Sequence, residues 1–242
     1  MQDTVGENYI KWKHWDAEMF AQVISGADFY FDQFFKGSAA LEKNSKVLEI
    51  GFGNGELLGY LHARHHFVTG VEINKHLVDR ANNAGFKAYA GLVWDIHELQ
   101  HEQFDLIVAL DVAEHMSYNE LNALFAWSSS HLKKGGKFIL RFPEGASPFG
   151  LAYQNGDFTH VTSLTLGKIA SLCSISELRL LSYGDEYLRS DKLCDYGTAG
   201  KLVLLLLQGY ARLMRTSLRV LLYPLSIDLR LSTNSIAVIA AK

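Results

Sequence analysis

The chain is poor in cysteine and proline, and neither sign of charge dominates. Its two cysteines, Cys173 and Cys194, have no CxxC spacing and no histidine pair beside them. That excludes a disulfide scaffold and a cysteine-based zinc site, and reads as the reduced thiols of a cytosolic protein. The three prolines, Pro143, Pro148 and Pro224, mark no linker, and there is no repeat or low-complexity tract. One domain spanning 1–242 is therefore expected. A net charge of −3 argues against a surface built to follow nucleic acid. Met1 to Asp16 contains no apolar run, so no secretory leader is expected. What is present is ordinary for a globule, with 48% apolar and 20% charged residues.

Periodicity supplies the elements. Aromatic-rich Tyr9 to Phe35 predicts one or two helices. Short apolar runs at Lys46–Ile50, Val68–Ile73, Phe86–Ala90, Phe104–Leu110, Lys137–Phe142, Leu178–Tyr183 and Ser235–Ala241 predict seven strands. Helices are expected at Glu56–Arg64, Lys75–Ala84 (with Gly85 as C-cap), Asn119–Leu132 and Ser163–Leu172, and Lys133 to Gly136 as a turn. Strands alternating with helices imply a mostly parallel, Rossmann-like α/β sheet with helices on both faces. Ligands of such sheets bind at the carboxyl ends of the strands.

At the first of those ends stands Glu49-Ile50-Gly51-Phe52-Gly53-Asn54-Gly55. Glycines 51, 53 and 55 let the backbone turn tightly and approach a ligand. The spacing is G-x-G-x-G, whereas a dinucleotide fingerprint requires G-x-G-x-x-G. Glu49 can accept from an amino-acid ammonium group and would repel a pyrophosphate. Glu72, roughly 20 residues past the turn, is placed to accept from both hydroxyls of a ribose. Together these features speak against a nicotinamide-dependent reductase, the rival enzyme class, and against a binding module that keeps the fold without catalysis.

Val47 to Gly55, Val71-Glu72-Ile73-Asn74, Phe104 to Met116 and Leu132 to Leu140 occur in an order and spacing that resembles class I S-adenosylmethionine-dependent methyltransferases. The resemblance implies S-adenosylmethionine as cofactor. It places Glu49, Gly51, Gly53 and Gly55 at the methionine end, Glu72 with Ile73 at the ribose, and Asp111 beside the sulfonium. The adenine acid of the family is displaced here, since Leu92 follows Gly91; Asp95 one turn later takes that place, or Leu92 does so through its backbone.

Methyl transfer from a sulfonium depends on alignment. A base is needed when the acceptor is a hydroxyl. His115, after the fourth strand, titrates in the right range, although Glu114 and His115 could equally begin a helix. The segment Glu144 to His160 reads as a long loop at the same end of the sheet, and long loops in compact domains are usually functional. Its Asp157-Phe-Thr159-His160 resembles methyltransferases of bacterial surface-polysaccharide assembly. That implies a glycan or other small-molecule acceptor methylated at oxygen, with Asp157 and His160 orienting or deprotonating the hydroxyl. Capping by Asp157 or Thr159 of the helix near Ser163 is the structural alternative.

Residues 1–40 are expected as a helical lid over the cofactor or a helix on the sheet edge. His62, His65 and His66 lack carboxylate or cysteine partners and fit a helix end, so no metal is expected. Residues 185–234 form a helical insert before the last strand. Within it, Leu202 to Leu225 is strongly apolar, yet Lys201, Gln208, Arg212, Arg215 and Arg219 share one narrow stripe. Such a helix packs on the sheet, forms a homodimer interface, or lies on a membrane surface with its arginines near lipid phosphates. The expected location is cytoplasmic, with peripheral contact at the inner membrane surface in the last case.

Overall fold

The computed structural model describes residues 6–186, 191–222 and 231–241. The start of the expected lid, the end of the apolar segment with Pro224, and parts of the insert lie outside these residues. The order of elements is α1 (Glu7–Trp12), α2 (Ser25–Phe34), β1 (Lys46–Ile50), α3 (Glu56–Ala63), β2 (Phe67–Glu72), α4 (Lys75–Asn83), β3 (Lys87–Ala90), β4 (Phe104–Leu110) and α5 (Tyr118–His131). They are followed by β5 (Leu132–Pro143), α6 (Gly150–Gly156), α7 (Leu166–Ile175), β6 (Leu178–Asp185), α8 (Asp191–Cys194), α9 (Gly197–Leu222) and β7 (Asn234–Ala241).

The seven strands lie in the order β3-β2-β1-β4-β5-β7-β6. All neighbours are parallel except β7, which runs antiparallel to both β5 and β6. Strand order reverses between β1 and β4, which opens a crevice at their carboxyl ends. The alternation of β4 shows how the sheet is covered on both sides. Leu106 and Val108 pack with Tyr30, Phe31 and Leu61 of α2 and α3. Ile107 and Ala109 pack with Leu121, Leu124 and Phe125 of α5 and Ile169 of α7. Side chains two apart share a face, so an apolar run buried on both sides is what a central strand requires.

Three expectations are corrected. Lys133 to Gly136 is no separate turn: β5 begins at Leu132, and the pairing jumps from Phe104↔Leu132 to Leu106↔Lys137. The excess residues bulge out, with Gly135 at φ +80°. The stretch from Glu144 to Thr165 contains α6 and is closed at its base by a bridge from Glu144 to Leu164. The buried Glu144 carboxylate accepts there from Tyr183 and Ser235. Helix α7 starts at Leu166 and is capped by Thr165, so Asp157 and Thr159 are free of capping.

Helix α9 reverses the simplest expectation for an amphipathic helix. Part of its polar stripe faces the body: Gln208 is buried, and half-buried Arg215 pairs with Asp185 at 3.1 Å. Leu204 alone of the leucine run is buried, against Phe29 and Cys194. Leu202, Leu206, Tyr210, Leu213 and Leu221 point to solvent. The helix therefore does not pack its apolar face on the sheet. No helix among the described residues is long and apolar enough to cross a membrane.

Candidate active site

The chain leaves β1 through Gly51, Gly53 and Gly55, at φ +71°, +53° and +75°, and enters α3. L residues rarely adopt these angles. Space forbids side chains as well: a Cβ would lie 2.3 Å from Val112 at Gly51, 2.9 Å from the Trp15 ring at Gly53 and 2.7 Å from the Phe20 ring at Gly55. The segment after α1 is thus laid over the turn. It is tied there by Ala21 N–H donating to the Asn54 carbonyl at 2.9 Å and by Arg80 donating to the Trp15 carbonyl. Tyr9 and Trp15 form part of the cavity wall, in a T-shaped pair 5.8 Å apart.

Two buried carboxylates flank the turn. Glu49, on β1, has one oxygen, Oε2, with no hydrogen-bond partner among the described residues. Burial pushes its pKa well above the ordinary value, and the charges of Glu72 and Glu56 add to the rise. Glu72, at the end of β2, accepts from the backbone N–H of Gly53 at 3.2 Å and of Asn74 at 3.1 Å. Burial raises this group also, and its backbone donors oppose the rise.

A cavity of about 730 Å³ opens at these strand ends, within the range of small-molecule sites. Gly51, Glu72, Ile73, Asp111 and His115 line it. Glu49 stands behind that wall, and Gly53 and Gly55 lie under Trp15 and Phe20. Asp95 is exposed and outside the lining, where Gly91, Leu92 and Trp94 take its place. Asp111 is present, but its carboxylate is held at both oxygens by Arg141. Half-buried Arg141 also donates to the Tyr30 hydroxyl and to Glu186, each at 3.0 Å. Asp111 therefore shapes the wall, and its φ of +57° is kept by that clamp.

The far end of the cavity joins residues from three segments. His115 belongs to a 3-10 turn, Ala113–His115, and begins no helix, since α5 is capped by Ser117 and Glu120. The His115 Nδ1 lies 2.9 Å from the Thr159 hydroxyl. That hydroxyl donates to Asp157, which also accepts from Lys13 at 3.1 Å. Burial acts to raise Asp157, but the Thr159 donors and Lys13 outweigh it and leave it below its usual value. An ionised Asp157 takes the Thr159 proton, so Thr159 accepts from His115 Nδ1–H. The His115 ring, desolvated and beside His160, is lowered to about 4 and stays neutral, with its Nε2 lone pair unspent.

His160 packs edge-on against His115 at 4.5 Å. Its Nδ1 faces the Gln154 carbonyl at 3.2 Å. Neither His160 nor Asp157 is part of the cavity surface; Phe158, Thr159 and Val161 are. Lys13, Thr159 and Arg141 were not singled out from sequence as site residues. Only the position of Thr159 between Asp157 and His160 hinted at a role.

These features fit S-adenosylmethionine. The unpartnered Glu49 oxygen suits an ammonium group, the glycine cradle would be filled by any Cβ, and Glu72 borders a cavity of sufficient size. Residues 48–140 match the family model described as a methyltransferase domain. No curated protein matches the sequence closely enough to serve as a relative. Among solved structures, a TehB-like SAM-dependent methyltransferase from Corynebacterium glutamicum is 16% identical, with 98% of this chain and 97% of that one covered and a TM-score of 0.58. An S-adenosylmethionine-dependent methyltransferase from Clostridium acetobutylicum is 13% identical over 96% and 98%, with a TM-score of 0.61. A SAM dependent methyltransferase from Archaeoglobus fulgidus is 16% identical over 97% and 98%, with a TM-score of 0.60. At such identities the likeness is one of fold. The chain therefore has the class I methyltransferase fold, and residues 48–140, the cofactor end of its sheet, match a methyltransferase domain.

Proposed function

We propose that the chain methylates a hydroxyl oxygen of a small-molecule acceptor, a sugar of surface-polysaccharide assembly. The observation that carries this reading is the His115 imidazole on the cavity wall, with His160 packed edge-on behind it. A thioether nucleophile would need no such group, whereas a hydroxyl must lose its proton as it reacts. The His115 Nδ1 is committed as a donor to Thr159, which leaves its Nε2 to take that proton. Aromatic rings around the mouth support a sugar. Trp12 and Phe158 face each other at 6.3 Å and are 47% and 77% exposed, and the C–H faces of a pyranose pack on such rings.

When bound, S-adenosylmethionine supplies an electrophilic methyl group on a sulfonium. Glu49 and the glycine turn would hold its amino-acid end, Glu72 and Ile73 its ribose, and Gly91 to Trp94 its adenine. The protein's further work is alignment and exclusion of water. Trp15 and Tyr9 close the cavity from the N-terminal segment. Lys13 and Asp157, through Thr159, fix the His115 ring.

Helix α9 supports a membrane-surface location and hence a lipid-linked glycan. Between Gly197 and Leu222 there is no acidic residue, and the outward face is apolar. A second copy of the chain is the other occupant of that apolar face.

Calorimetric titration with S-adenosylmethionine and with NADH, followed by a methyl-transfer screen over sugar nucleotides and lipid-linked glycans, tests the reading. Binding of the first cofactor alone and turnover on a hydroxylated sugar are expected. Turnover confined to amines or thiols would overturn the choice of acceptor. Flotation with anionic liposomes tests the surface; protein that stays at the bottom at low and high salt removes it.

A further inference from the structure

Among the described residues, a single group has three side chains in metal-ligating reach of one another: Glu114, His115 and His160, whose ligand atoms all lie within 4.8 Å. We propose that this cluster is a divalent-cation site, holding a first-row ion such as Zn²⁺ through the two imidazole Nε2 atoms and the Glu114 carboxylate.

Three independent features point to a cation there. The first is Glu114. Its side chain is 1% exposed, and neither oxygen has a hydrogen-bond partner from any other described residue. A buried carboxylate left in that state carries a desolvation cost that only a positive charge or a proton offsets. The neighbouring cations do not reach it: Lys13 is spent on Asp157, and Arg141 on Asp111 and Glu186. The second is the tautomeric state of the rings. The Gln154 carbonyl can only accept, so His160 carries its proton on Nδ1. Thr159 gives its proton to Asp157, so His115 does the same. Both rings thus donate Nδ1–H to an oxygen, which leaves Nε2 as the nitrogen that a cation would take. That is the outer arrangement that orients histidine ligands in metal centres. The third is distance. His160 Nε2 lies 3.9 Å from Glu114 Oε1. Ligands about 2.0–2.2 Å from one ion stand roughly 3–3.5 Å apart, so the set, now within 4.8 Å, closes by inward movement of its side chains. Asp157, 3.7 Å from the same nitrogen, is already committed to Thr159 and Lys13.

Two imidazoles and one carboxylate favour a transition ion over Mg²⁺ or Ca²⁺, and three protein ligands leave coordination positions open. His115 lines the cavity, so an open position faces the acceptor. A hydroxyl bound there loses its proton to water more readily, and the oxygen keeps the electron pair on the ion. The cation then does what a free imidazole would otherwise do, and His115 becomes its holder. This consequence rests on the hydroxyl-acceptor reading; binding of the ion does not.

The test is titration of metal-free, full-length protein with Co²⁺, read by its visible d–d absorption, with Zn²⁺ affinity by calorimetry. One equivalent bound is expected. Glu114→Gln and His160→Asn should each weaken binding at least 100-fold. Thr159→Val, which keeps all three ligands, should weaken it about 10–100-fold. The triple variant His62→Asn, His65→Asn, His66→Asn should leave the absorption unchanged. No d–d bands, or bands that survive Glu114→Gln and vanish in the triple variant, would overturn the site. Should Glu114→Gln not fold, His160→Asn and Thr159→Val decide. Co²⁺ bands in a protein that methylates no hydroxyl would leave the site standing and remove the acceptor reading.

Discussion

Replacing Glu72 with alanine separates the cofactor role of this residue from its structural one. The carboxylate accepts from Gly53 and Asn74 N–H groups, both in the floor of the site. Without it these donors depend on water that enters the space left behind. A buried donor left unpaired costs about 1–3 kcal/mol, and relief of the buried charge offsets part of that. A net loss of about 1–3 kcal/mol is expected, lowering Tm by roughly 2–4 °C for each kcal/mol in a chain of this size. The two ribose hydroxyls lose their acceptor as well. Hydrogen bonds of that kind are worth about 1–3 kcal/mol, so Kd for S-adenosylmethionine should rise by roughly 5- to 150-fold. Calorimetry with two ligands isolates the contact. Methylthioadenosine keeps the ribose and lacks the amino acid. Glu72→Ala should weaken both ligands equally, whereas Glu49→Gln should weaken S-adenosylmethionine and leave methylthioadenosine unchanged. A folded Glu72→Ala protein with wild-type affinity for both would refute the ribose assignment, and equal losses in Glu49→Gln would refute the ammonium contact.

Other outcomes follow from the same geometry. Arg141→Met leaves Asp111 and Glu186 without their shared cation and, because Asp111 is half exposed to solvent, should cost about 1–3 kcal/mol in urea unfolding; an unchanged stability would show that the clamp is structurally idle. In metal-free protein, NMR should find the His115 ring neutral down to a pH of about 4. Its folded pKa lies below the unfolded value of about 6.5. The stability it contributes is therefore complete above that value and is lost as the pH falls toward 4. A midpoint near 6.5 would place the ring in water. Leu206→Glu with Leu213→Glu should abolish flotation with anionic liposomes and leave Tm unchanged, because both side chains already face solvent; a large fall in Tm would mean that the face is covered within the chain.

Much of the fold can be read from local pattern because its central strands are governed by local pattern. β1 and β4 occupy the residues expected, since each is an apolar run bounded by a polar start and a glycine or aspartate end. The departures occur where long-range pairing overrides local chemistry. Lys133 to Gly136 has the composition of a turn, yet strand pairing on both sides absorbs it as a bulge. Helix α9 shows a limit of another kind. A helical wheel finds the polar stripe but carries no information about which side meets the protein. Asp185 and Phe29 decide it, drawing Arg215 and Lys201 inward and leaving the leucines outside.

The two ends of the cavity differ in the same way. The cofactor end is built almost wholly from β1, its turn and β2, so Glu49, Gly51 and Glu72 stand close in sequence and their spacing carries meaning. The acceptor end is assembled from Lys13, the turn at His115 and the stretch after α6, segments more than 40 residues apart that meet only when the sheet forms. Asp157 and His160 can be marked as chemically able, but their roles depend on Thr159 passing a hydrogen bond to His115 and on Glu114 lying unpaired beside both rings. A site whose first half is local and whose second half is not explains why one sequence can announce its cofactor while its acceptor chemistry rests on distances. It also makes Thr159 the most informative position to change. Its side chain ligates nothing in the cluster, yet it fixes the tautomer of His115 and thereby whether Nε2 is free to hold a cation or a proton.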